Sequence, residues 1–210
     1  MSARPEAFAI GGTRKPDVVL VDSGGANLGS VRAAFRRLGI DAPVTGDWER
    51  IRRASHVVLP GVGAAGPAMA RLAQHGLTEK IATLTQPVLG VCVGVQLLFE
   101  QSAEGEVPCL GLVPGRVEAL ASAPGLRIPH MGWNQLIGDS DHPLAAGLSG
   151  AWAYFVHSYA APPGPHTLLS CTHGAPFSAL VARGNFMGAQ FHPERSQAAG
   201  ARLLSNFIRL

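Results

Sequence analysis

Residues Pro87 to Glu100 read PVLGVCVGVQLLFE, and the fold turns on how this stretch is read. Val88 to Val91 is a short unbroken apolar run, the pattern of a buried strand, and Val95 to Phe99 then takes up helical spacing. Cys92 therefore stands at the crossing from strand to helix, flanked by Gly90 and Gly94 as Gly-x-Cys-x-Gly. That is the thiol counterpart of a nucleophile elbow, a tight turn that tolerates only small neighbours and lifts the nucleophile above the sheet edge. At a helix start the thiol meets unpaired N–H groups and the positive end of the peptide dipoles, which favour the attacking thiolate. One more buried small apolar residue is the plainer reading of a single cysteine, and the flanking glycines weigh against it.

Upstream, Val18 to Val21 is a buried strand ending at Asp22. The loop Ser23-Gly24-Gly25-Ala26-Asn27 leads into a helix with Leu28, Val31, Phe35 and Leu38 on its apolar face and Gly39 as its stop. Ala26 stands where a dinucleotide fingerprint needs glycine, which argues against a cofactor at this loop. A short strand near Ala42 to Thr45, a helix near Trp48 to Arg53 and a buried strand from His56 to Leu59 follow. Such alternation predicts a parallel sheet with helices on both faces. Pro60-Gly61-Val62-Gly63 then falls at a strand's carboxyl end, where open α/β sheets bind ligands and glycines let backbone N–H groups come close. A helix with Met69, Leu72 and Ala73 facing inward, and the segment Leu77 to Leu84, lead to the elbow.

Downstream the pattern changes to short apolar runs separated by Gly and Pro: Val113, Val117, Ile128, Leu136, Ile137, Tyr154 to Val156, Leu168 to Leu169, Ala179 to Val181 and Met187 to Phe191. These predict strands without intervening helices, an antiparallel layer added to the parallel sheet. The chain from Glu194 to Leu210 places Ala198, Ala201, Leu204, Phe207 and Ile208 at the spacing of an amphipathic helix. Just before it, Gln190-Phe191-His192-Pro193-Glu194 supplies an imidazole able to take the thiol proton and return it to a leaving amine. Glu194, two positions on, falls on the same side as His192 in a strand and can hold the ring in one tautomer.

Composition sets the bounds. With 210 residues, 47% hydrophobic and 15% charged, the chain fits one globular domain, residues 17–210, behind a flexible leader, residues 1–16, that shows little periodicity. The net charge of +3 comes from scattered arginines that are not interleaved with aromatics, so no nucleic-acid partner is expected. Cys92, Cys109 and Cys171 are odd in number, form no C-x-x-C and follow no signal sequence, which predicts a reducing, cytoplasmic setting. No apolar run reaches the roughly 18 residues of a membrane span. His166, Cys171 and His173 lack the paired short intervals of a zinc site, so no metal is expected.

The elbow GVCVGVQLLFE together with FHPERS resembles the class I, or triad, glutamine amidotransferases, from Val18 to the C-terminus. The resemblance implies a three-layer, flavodoxin-like α/β fold with a central, mostly parallel sheet. Within that class LPGVGAAGPAM (Leu59 to Met69), PHMGWNQL (Pro129 to Leu136) and YFVHSY (Tyr154 to Tyr159) are similar to the glutaminase subunits of imidazole glycerol phosphate synthase, of histidine biosynthesis. By that similarity Cys92 attacks the carboxamide of L-glutamine, His192 protonates the departing ammonia and activates water, and Glu194 orients His192. Gly61, Val62, Gly63 and Val93 would form the oxyanion hole, the glycine strand rearranging before it donates. Gln96, His157 and Ser158 would hold the glutamine, and Asn27, His130, Met131, Trp133 and Asn134 would lie toward the partner. From the residues alone, Trp133 reads as a core aromatic and His130 as a structural histidine.

The implied partner is a cyclase subunit, namely a (β/α)8 barrel that receives ammonia through an internal passage and makes imidazole glycerol phosphate and an aminoimidazole carboxamide ribotide. No cofactor is implied. The family usually carries Asp-Tyr-Gly-x-Gly-Asn-Leu after the first strand, where this chain has Asp22 to Leu28 without the aromatic and with a shifted glycine. Val93 and Val95 replace the usual Leu and Met, apolar exchanges that leave the chemistry alone. Two alternatives stay open: a class I protein serving pyridoxal phosphate, anthranilate or guanine nucleotide synthesis, and a non-catalytic regulatory protein of the same fold.

Overall fold

The structure is a computed structural model that describes residues 15–24, 27–61 and 63–210. Nearly all of the expected leader, as well as Gly25, Ala26 and Val62, lies outside the described residues. β1 (Val18–Val21) is followed by α1 (Leu28–Arg37), β2 (Val44–Thr45), α2 (Trp48–Arg53), β3 (His56–Gly61), α3 (Ala65–Gln74), β4 (Val88–Cys92) and the one-turn helix α4 (Val93–Gln96). α1 carries Arg36 and Arg37 in its last turn and stops at Gly39, whose φ of 77° is open to glycine. α2 is capped by Asp47, which accepts from Glu49 N at 3.0 Å. β1, β3 and β4 pair in parallel, and every residue in them is buried, as strands covered on both faces must be.

The second half does not form one antiparallel layer. β5 (Gln101–Ser102), β6 (Val107–Pro108) and β7 (Arg116–Ala119) belong to a small sheet, and β8 (His130–Gln135) pairs only with β9 (Trp152–His157). β10 (Tyr159–Ala160) completes the small four-stranded sheet, while β11 (Thr167–His173) and β12 (Ala175–Arg183) extend the main one antiparallel. β13 (Phe186–Ala189) returns to run parallel to β4. The main sheet thus has the order β11-β12-β13-β4-β3-β1-β2, which puts β4, and the elbow at its carboxyl end, in the middle. Val113 and Ile128 lie outside strands, and Ile137 makes only an isolated bridge to Ser170.

Two helix faces differ from the expected ones. In α3 the buried residues are Ala65, Ala68 and Leu72, with Ala73 exposed. In α5 (Gln197–Phe207) Ala198 and Ala201 face solvent, and Ala199, Leu203, Leu204 and Phe207 are buried. An alanine carries too little apolar area to fix a face, so the large side chains decide it.

Candidate active site

The elbow is enforced by close packing. β3 and β4 run in register with Gly61 opposite Cys92, and a Cβ added to Gly94 would overlap the Leu59 carbonyl. A Cβ on Gly61 would come within 2.7 Å of Gly94 N, so both positions exclude side chains. Cys92 itself adopts φ 53° and ψ −112°, a strained backbone of the kind found where a nucleophile is thrust out of a sheet. The helix begins at Val93, earlier than the sequence pattern suggested, and lasts only four residues. One turn supplies little dipole to the thiol.

The ionisable neighbour of the thiol is His192. The main-sheet strand β13 ends at Ala189, and the chain enters a 3-10 turn, Pro193–Arg195, with His192 at its start. The turn, rather than a strand's alternation, brings the two side chains together: Nδ1 of His192 donates to Oε1 of Glu194 at 2.8 Å. Burial works against the imidazolium, but the nearby Cys92 and the bond to Glu194 more than offset it, and His192 is raised well above an ordinary histidine. Glu194 is buried too; burial raises its carboxyl, and the bonds from His192 and from Asn27 outweigh that and lower it. The arrangement therefore favours a protonated imidazole held against the ionised carboxylate of Glu194.

Cys92 and His192 open on a cavity of about 390 Å³, whose wall includes Gly63, Val93 and Gln96. Val93, first residue of its helix, has an N–H without an intrahelical acceptor, beside the place where an oxyanion would develop. Gln96 is buried; its Nε2 donates to Tyr159 O at 2.9 Å and to Gln190 Oε1 at 3.2 Å, while its Oε1 has no partner. Glu104 and Arg195 bring opposite charges to the same cavity. Among the described residues no group of three His, Cys, Asp or Glu side chains is placed to hold a metal ion.

Residues 19–210 match the family model of glutamine amidotransferase class-I. The chain belongs to that family. Imidazole glycerol phosphate synthase subunit HisH of Xanthomonas axonopodis pv. citri is 55% identical over 195 residues, covering 92% of this chain and 98% of the relative. The protein of the same name from Xylella fastidiosa is 53% identical over the same shares of both chains. Neither relative belongs to the pyridoxal phosphate, anthranilate or guanine nucleotide enzymes that the sequence reading left open. Among solved structures, a putative GMP synthase subunit from Thermoplasma acidophilum superposes with a TM-score of 0.70 at 18% identity, covering 93% of this chain and 94% of that one. A second, a glutamine amidotransferase, gives 0.69 at 20% identity, covering 91% and 97%. At such identities the likeness speaks for the class I fold, and it agrees with the mixed sheet described above.

In this amidotransferase the three residues expected to be catalytic meet in one place, and the expected glutamine-binding residues Gln96, His157 and Ser158 share their cavity. His157 has no free ring nitrogen: Nδ1 donates to Tyr159 O at 2.9 Å, and Nε2 accepts from His130 Nδ1 at 3.1 Å. Burial lowers His157 to about 3 and His130 to about 4, so both rings are neutral. His130 is thus the satisfied buried histidine that its residue type alone suggests, stacked on Phe155 and His173. Asn134 is half-buried against Thr172 O at 2.8 Å. Trp133, by contrast, is no core residue: it is 44% exposed, beside Met131 at 64%. Asn27, expected toward a partner, also lines the cavity of Cys92 and His192, and its side chain reaches Glu194. Sequence reading missed Glu104, Gln190 and Arg195. Gln190 and Arg195 flank the His192 motif and were within reach of it, whereas Glu104 lies in an unpatterned loop.

Proposed function

We propose that the chain is the glutaminase subunit of an imidazole glycerol phosphate synthase, using Cys92, His192 and Glu194. The observation that supports it best is the assembly, around one cavity, of a strained cysteine, an imidazole held by a buried carboxylate, and a buried amide with a free oxygen. Glutamine enters with its carboxamide carbon over Sγ. Glu104 faces its ammonium, and Arg195 faces its carboxylate. The thiolate attacks, and the C–O π electrons move onto oxygen, where the N–H of Val93 and, once the glycine segment has rearranged, that of Gly61 or Gly63 receive the charge. His192 passes its proton to the amide nitrogen as the C–N bond breaks, releasing ammonia and leaving a thioester. The imidazole, now neutral, takes a proton from water as the oxygen adds to the thioester, and collapse of the adduct frees glutamate and restores the thiolate beside protonated His192.

The ammonia passes to a cyclase partner, a (β/α)8 barrel, in a heterodimer. The surface that suits it is one side of the β8–β9 hairpin, where Met131 and Trp133 lie opposite Val156 and Tyr154, with Trp152 57% exposed beyond them. Arg195 stacks over Tyr154 at 4.6 Å and also lines the cavity, so this face adjoins the site of ammonia release. The three cysteines are unpaired, in keeping with a reducing cytoplasm. Replacement of Cys92 by alanine tests the assignment. In the assembled pair, C92A abolishes glutamine-dependent synthesis and spares synthesis from added ammonium; loss of both would give Cys92 a role in folding or docking instead.

A further inference from the structure

Asn27 stands at the N-cap of α1, where an asparagine ordinarily turns its side chain back to satisfy the first free N–H groups of the helix. Here it makes no such bond. Its Nδ2 instead donates to Oε1 of Glu194 at 2.6 Å, across 167 residues of sequence. The same oxygen receives His192 Nδ1, and Oε2 of Glu194 is buried without a partner. The carboxylate is thus fixed from one side only, by two donors converging on one oxygen, and Asn27 is the donor that does not take part in proton transfer.

Resting on the functional reading above, we propose that Asn27 is a positioning residue of the triad, which keeps Glu194 ionised and turned toward His192 rather than serving chiefly as a partner contact. A carboxylate with 1% exposure has no water to solvate it. Without Asn27 its oxygen would keep the imidazole as its one side-chain donor, and the side chain would be free to rotate Oε1 out of line. His192 lies on one side of the carboxylate with Cys92 beyond it, and Arg37 of α1 and Arg195 of the 3-10 turn line the groove behind. It is His192 and Asn27, not these arginines, whose bonds lower the Glu194 carboxyl against the opposing effect of burial.

Removing Asn27 raises the pH at which Glu194 takes up a proton, so the acid limb of the rate profile moves up. Exchanging the amide for a carboxyl, Asn27→Asp, does the reverse: protonated, the new group still donates to Glu194, and ionised, it repels it, so activity is lost on the alkaline side.

The test measures glutamate release against pH for the unaltered chain, N27A and N27D, together with the rate at which iodoacetamide alkylates Cys92, read by mass on the Cys92 peptide. The other cysteines interfere little, because burial raises both Cys109 and Cys171 to about 11. For N27A we expect kcat to fall roughly 10- to 100-fold, the range of a lost hydrogen bond to a charged group, with KM little changed and the acid limb shifted upward. N27D should keep most activity at low pH and lose it as pH rises, with Cys92 alkylation following the same curve. Equal loss at all pH values in both variants, or intact chemistry with weakened binding of the cyclase partner, overturns the inference. Should the unaltered chain release no glutamate even with its partner, the functional reading fails, and the alkylation profiles still decide whether Asn27 governs Cys92.

Discussion

At the elbow, each backbone position around Cys92 is fixed by a neighbour: Gly61 stands in register opposite it, Gly94 lies against the Leu59 carbonyl, and β4 is buried from end to end. On the β8–β9 hairpin, which borders the same cavity, one face is packed with His130, Phe155 and His157, and the other leaves Met131, Trp133 and Trp152 to solvent. Both regions border one cavity. One has no room to move and holds the proposed nucleophile; the other is packed on a single side and leaves large apolar side chains to solvent. On the proposed reading, chemistry sits where packing over-determines the backbone, and recognition sits where packing is unfinished.

The contrast breaks most sharply at Gly94. In G94A the new Cβ must displace the Leu59 carbonyl, so the elbow cannot close; we expect loss of essentially all glutaminase activity and a fall in stability on the order of 3 kcal/mol by urea unfolding. A G94A protein of normal stability with normal turnover would show that the packing does not set the elbow. On the hairpin the same kind of change should behave oppositely. W133A is expected to leave the unfolding midpoint and Cys92 alkylation unchanged while weakening cyclase binding by about 2 kcal/mol, measured by titration calorimetry. If W133A unfolds more easily and binds normally, the indole belongs to the fold after all.

The most gradual expected effect concerns the packed face of the hairpin. His130 is lowered from 6.5 to about 4, first by burial and then by the neighbouring His173. A histidine held neutral in the fold stabilises fully above its unfolded pKa, and that contribution is lost as pH falls from about 6.5 toward 4, because the unfolded chain takes up the proton first. H130F keeps a ring between Phe155 and His173 and removes the titration. Its stability should therefore fall less steeply over that interval, by at most about 1.4 kcal/mol per pH unit. Parallel acid-unfolding curves for the two proteins would mean that His130 is already protonated in the fold.

The sheet's parallel half was legible because runs such as Val18 to Val21 and Val88 to Val91 are buried on both faces and admit little else. The elbow was legible because small residues on both sides of a cysteine leave a local signature. The antiparallel half was not fully so: Val113, Ile128 and Ile137 look like strand residues, but pairing depends on partners far along the chain, and the runs separate into three sheets. The same limit hid the ties that organise the site. Asn27 reaches Glu194, Gln96 reaches Tyr159 and Gln190, and His130 reaches His157; such long-range hydrogen bonds leave no periodicity behind. Trp133 misled for a related reason. An aromatic's usual place is the core, and only the register of β8 against β9 turns it outward.

Activation of Cys92 by His192 within one cavity is read directly by the glutamine-derived electrophile 6-diazo-5-oxo-norleucine. The unaltered chain should gain one label, on Cys92 and competed by glutamine, and H192A should label at least roughly tenfold more slowly. Labelling of H192A at the full rate, or modification of Cys109 or Cys171 in place of Cys92, would contradict it.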